Sequence, residues 1–108
     1  MSKSFFIYND QLGISIPAPS IDWEALPQRE QSAILAEWEN QRGLIPDRIK
    51  AIESEINAKQ ELMEQEDNLH ASCILNTQIA QLASTINDLW LWFRLTPEST
   101  NERDKTHF

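Results

Sequence analysis

The sequence predicts an all-α protein: a short helix packed against a long helix or helical hairpin, preceded by an irregular N-terminal arm, the whole assembled as a dimeric helical bundle. Three observations carry this. From Pro46 to Thr96 there is no glycine and no internal proline, so about fifty positions lack a helix breaker. Apolar residues within that stretch recur in alternating steps of four and three, the period of a helix with one buried stripe. Finally, residues 68–93 hold a single formal charge, Asp88.

The chain divides into an arm and connector (1–19), a helical body (20–95) and a polar tail (96–108). In the arm, residues 4–8 and 14–16 are rich in β-branched and aromatic side chains, and Asn9 to Gly13 between them has turn composition, which suits a small β-hairpin. Pro17-Ala18-Pro19 then enforces an extended connector. The arm is expected to lie along the helices and to bury Phe5, Phe6 and Ile7.

Ser20 or Asp22 opens a short turn through Trp23, and the first helix is expected at about 27–42. Pro27 suits its start, and Arg42-Gly43 its end. Ile34, Leu35 and Trp38 form its apolar stripe. A second helix begins at Pro46, with Asp47 favourably placed at the positive end of the helix dipole.

Two further segments follow, 46–66 and 69–94. The first has Ile45, Ile49, Ile52, Ile56 and Met63 on its stripe, with Lys59 in the missing place; the second has Leu75, Ile79, Leu82, Ile86, Leu89 and Phe93. Wound at about 100° per residue, the two series are offset by roughly a third of a turn. One continuous helix of about 48 residues, using different sides for different neighbours, satisfies that offset; so does a hairpin turning near Glu66-Asp67-Asn68, with Asp67 or Asn68 as N-cap. The missing glycine, proline or serine at the bend favours the continuous helix.

Charge narrows the function classes. The 108 residues carry nine Lys+Arg against seventeen Asp+Glu, a formal charge of −8. Cations are scattered singly, so a grip on phosphate backbones is not expected. No apolar run is long enough to span a membrane, and the start through Tyr8 is too short in apolar residues for a secretory signal, so a cytoplasmic address is expected. Cys73 is the only cysteine and has no intrachain partner.

Residues 53–67 hold six carboxylates against Lys59 alone, whereas 69–94 is punctuated by Asn, Gln, Ser and Thr. A solvent-facing helix normally carries charge on its outer side, so the later segment is expected to be enclosed by a second polypeptide, most simply in a homodimer. At its end, Leu89-Trp90-Leu91-Trp92-Phe93 points large groups in all directions, and Trp90, Trp92, Phe93 and Arg94 are the candidate contact with a protein partner.

The catalytic alternatives lack parts. Glu66, His70 and Cys73 stand at metal-ligand spacing on one helical face, but a closed site normally has more Cys or His, and they are read as a polar layer. Glu61-Leu62-Met63-Glu64-Gln65-Glu66-Asp67 resembles the Mg²⁺-binding carboxylate row of helical-bundle nucleotide pyrophosphatases; that resemblance implies a second acidic row, where the next helix offers only Asp88. Trp38 to Gly43 does not match the Trp-x-Gly turn of small secreted helical hairpins. With only Gly13 and Gly43, no phosphate loop exists. The sequence is therefore read as a non-enzymatic helical interaction or regulatory module with no catalytic residue, cofactor or metal; the alternatives are the Mg²⁺ enzyme and an acidic nucleic-acid mimic.

Overall fold

The computed structural model describes residues 5–95; the polar tail, with His107, lies outside the described residues. The arm opens with strands β1 (Phe6–Asn9) and β2 (Ile14–Pro17), paired antiparallel with Ile7 opposite Ile16 and Tyr8 opposite Ser15. Asn9 closes the turn twice, its side-chain oxygen accepting from the Leu12 amide and its carbonyl from the Gly13 amide. Gly13 has φ of +77°, a conformation that costs an L side chain about 1–2 kcal/mol. The Arg48 side chain covers the same turn, donating from Nε to the Leu12 carbonyl at 3.1 Å. A two-stranded hairpin is not stable alone; this one is held because Leu12 and Ile14 are buried in the main core and the Ser15 amide donates to Gln41 of the first helix.

A 3-10 turn at Trp23–Ala25 leads into α1 (Gln28–Gly43), whose stripe buries Ile34 and Trp38. Pro27 sits just before the helix as its N-cap rather than in its first turn. Helix α2 (Ile45–Gln65) follows after Leu44 alone. Leu44 keeps helical dihedrals, so the chain bends here because Pro46 has no amide to donate and its ring excludes the carbonyl four residues earlier.

Helix α3 (Leu69–Phe93) begins after a three-residue link, so α2 and α3 form an antiparallel hairpin and the continuous 48-residue helix is not adopted. Glu66 turns extended at the end of α2, and Asn68 caps α3 by accepting from the Ala71 amide at 3.1 Å. The Glu66 carboxylate accepts from the Asn68 amide, which stiffens the link without glycine or proline. The third-of-a-turn offset is thus the mark of two helices that each turn their own stripe toward a common seam.

The seam is buried at one end only. Ile45, Ile49 and Ile52 meet Leu89, Trp38, Leu12 and Ile14 in a single cluster, each buried aliphatic side chain contributing about 1.5–3 kcal/mol. Thr85 is the one buried polar residue among those described; its hydroxyl donates to the Gln81 carbonyl and accepts from the Gln11 amide, so both capacities are met. Between Glu53 and Ser84 no residue is buried. There Ile56, Met63, Leu75 and Ile79 are half-covered, and Lys59 reaches across to the Gln78 side chain at 3.0 Å.

Replacing Gly13 by Ala places a Cβ about 2.6 Å from Arg48 Nε in a strained backbone; urea unfolding of Gly13→Ala is expected to show a loss of about 1–2 kcal/mol or more, and an unchanged midpoint would show that the turn does not depend on its positive φ.

Candidate interaction surface

The last turn of α3 splits the four candidate contact residues into two groups. Trp92 is half-buried against the core, its ring edge-on to that of Trp38 at 5.8 Å. Trp38 is itself 1% exposed, and its indole N–H donates to the Leu95 carbonyl at 2.6 Å, which fixes the end of α3 on α1. Phe93 is also half-buried, with the Arg42 guanidinium 4.9 Å over its ring. Trp90 leans edge-on against Phe93 at 5.6 Å and is 39% exposed, and Arg94 is exposed. Trp90 and Arg94 therefore face outward, while Trp92 and Phe93 support them from behind.

Leu91, absent from the candidate set, is 50% exposed. It stands at the mouth of a groove of about 350 Å³ between the hairpin and α3, together with Ile16, Trp92 and Leu95. The signal was present in the sequence: Leu91 falls outside the 75-79-82-86-89-93 stripe, so burial of that stripe turns it outward.

The whole outward side of α3 has the same character. At about 100° per residue, Leu69, Thr77, Ala80, Ser84 and Leu91 lie within about 60° of one another's mean direction, and Leu75, Leu82 and Leu89 lie on the other side. All five are exposed, Leu69 at 79%. Along most of its length no described part of the chain covers this face; at its C-terminal end the β-hairpin borders it across the groove at Leu91, and Asp88, the one formal charge of α3, stands at its edge. The exposed side of α2 is the reverse: Glu53, Glu55, Glu61, Glu64, Glu66 and Asp67 are all open to water.

The polar alternatives are not brought together. Glu66 lies in the link, so the Glu66, His70 and Cys73 spacing is not carried on one helix, and all three are exposed. Among the described residues no group of three or more His, Cys, Asp or Glu side chains is placed to hold a metal ion. The Glu61-Glu64-Asp67 row ends off the helix, and Asp88 lies at the other end of the hairpin, beside the groove lined by Asn9 and Leu91. A second, more open groove of about 590 Å³ has Arg48 and Lys59 on its walls together with Asp10 and Glu55, so its charges offset. Among the described residues no helix is long and apolar enough to cross a membrane. The chain matches no protein family, no curated protein and no solved structure.

The two tryptophans should separate in stability measurements. Trp92→Ala is expected to cost about 2–3 kcal/mol in urea unfolding because it removes a ring packed on the core, whereas Trp90→Ala should cost less than about 1 kcal/mol; equal losses would place Trp90 in the core as well.

Proposed function

We propose that this chain is a non-enzymatic helical interaction module that acts as a homo-oligomer, most simply a cytoplasmic homodimer. The observation that carries the reading is the open, uncharged outward face of α3, with Leu69 and Leu91 exposed upon it. Monomeric helices turn charge to water, and a face of apolar, small and amide side chains is the composition of a covered surface. Its own chain supplies no cover among the described residues.

Electrostatics selects the side on which a second copy docks. Each chain carries −8, so two copies repel wherever their acidic surfaces face one another. The carboxylates of α2 exclude that side, and the outward face of α3 is where the repulsion is least. Trp90 and Arg94 flank the face at the C-terminal end of α3 and extend the contact to a further protein partner. The acidic-mimic reading keeps one supporting observation, the six exposed carboxylates between Glu53 and Asp67, and it differs in the sign of its salt dependence.

Light scattering at micromolar concentration should give twice the mass of one chain. Dimer formation should strengthen as ionic strength rises from about 0.02 to 0.2 M, because salt screens the repulsion between like-charged copies. Leu91→Glu should weaken association by roughly 100-fold, about 2.7 kcal/mol, with helix content by circular dichroism unchanged. A single copy at every concentration and salt overturns the proposal; capture of a basic partner that salt releases favours the mimic instead.

A further inference from the structure

Helix α3 has the same chemistry read from either end. Ala80 stands at the middle of its outward face, with Leu69 eleven residues before it and Leu91 eleven after, each about 16 Å away along the axis. Between the centre and the ends the positions are small or uncharged on both sides: Thr77 matches Ala83, and Cys73 matches Asn87. Just past the two ends of the helix the charges are opposite: Arg94, exposed and in no ion pair among the described residues, follows the C-terminus, and the link before Leu69 carries exposed Glu66 and Asp67.

We infer that two copies of this chain pair through α3 in antiparallel register about Ala80, so that Leu69 of each copy seats beside Leu91 of the other. This rests on the self-association proposed above and specifies its geometry. An isologous contact requires each residue at position i to meet a residue at position j and the converse, and an antiparallel helix pair centred on Ala80 satisfies this for every pair named. Ala80, Ala83 and Ser84 are small enough to bring the helix axes to the near end of the usual 8–10 Å range.

The charges choose the direction. Antiparallel pairing brings Arg94 of one copy toward the acidic link of the other, where Glu66 and Asp67 are exposed, and sets each helix N-terminus beside the partner's C-terminus, where the dipoles attract. Parallel pairing sets Arg94 against Arg94, and Glu66 against Glu66, in a dimer that already carries twice the −8 of one chain. The groove of about 350 Å³ beside Leu91, walled by Ile16, Trp92 and Leu95 with Asn9 and Asp88 on its polar side, lies open at the end of α3 where the partner's Leu69 arrives. Leu69 is the most exposed large apolar side chain among those described, and this contact removes it from water.

Oxidative cross-linking reads the register. In the antiparallel pair the two copies of Cys73 are about 21 Å apart, beyond the 4.4–6.8 Å that a disulfide spans between Cα atoms, so the native chain should stay uncross-linked under a mild oxidant. The double variant Cys73→Ser/Ala80→Cys should cross-link nearly completely, because its thiols meet on the two-fold axis. Asn87→Cys with Cys73 retained should do the same through two Cys73-to-position-87 bridges, and serves should the first variant lose helix content. A dimer by light scattering that cross-links through native Cys73, or through neither variant, overturns this register and leaves self-association standing; a single copy in solution overturns both.

Discussion

Burial in this molecule stops at Ile52 on α2 and Thr85 on α3, and the rest of the architecture follows from that limit. The enclosed end of the helical hairpin is the end against which α1 and the β-hairpin are placed. Trp38 does most to hold it there, with its ring edge-on to Trp92 and its indole N–H on the Leu95 carbonyl. The β-hairpin is fixed by Arg48 across its turn and by Gln11 on buried Thr85. Beyond those contacts two helices continue with only each other for cover, and two helices alone leave most of their surface wet. The outward face of α3 turns away from α2, and the β-hairpin borders it only at its C-terminal end, beside Leu91.

Most of the fold was legible because the signals were local. The stripe of α2 predicted Ile45, Ile49 and Ile52 as core, and even the gap at Lys59 has a physical counterpart in its hydrogen bond to Gln78. The turn of the β-hairpin was legible from Asn9 and Gly13. What misled the reading was the bend at residues 66–68. Glycine and proline are the usual marks of a helix end, and neither is present; here the end is made by Asn68 capping α3 and by Glu66 accepting from the Asn68 amide. Both residues were visible, but side-chain caps compete weakly against fifty residues of good helix propensity unless the offset of the two stripes is taken as decisive.

The surface was legible in outline and not in detail. Scarcity of charge between residues 68 and 93 singled out α3, which one chain indeed leaves open on its outer side. The aromatic cluster was harder, since five consecutive large residues point around the whole helix and only the position of α1 decides which are covered. Trp92 and Phe93 turned toward Trp38 and Arg42, while Trp90 and Leu91 did not. Leu69 offered no periodic signal at all, because it stands at the first position of its helix and outside both stripes.

The distribution of charge joins these threads. Six carboxylates on and just after one helix and none on the outward face of its neighbour is a separation that stability of a single copy does not require, since surface charges contribute little to folding. It does matter for association. A strongly acidic chain meets its own copies with least repulsion on the side from which charge has been removed, so the same pattern that keeps α2 solvated makes α3 the side on which the proposed pairing costs least. In the proposed antiparallel pair Arg94 and the acidic link at Glu66 and Asp67 act as end markers, attracting in one orientation and repelling in the other. In the proposed pair, direction is set by these rim charges and affinity by Leu69, Leu91 and the small residues between them, a division of labour in which electrostatics contributes specificity and apolar burial contributes the energy.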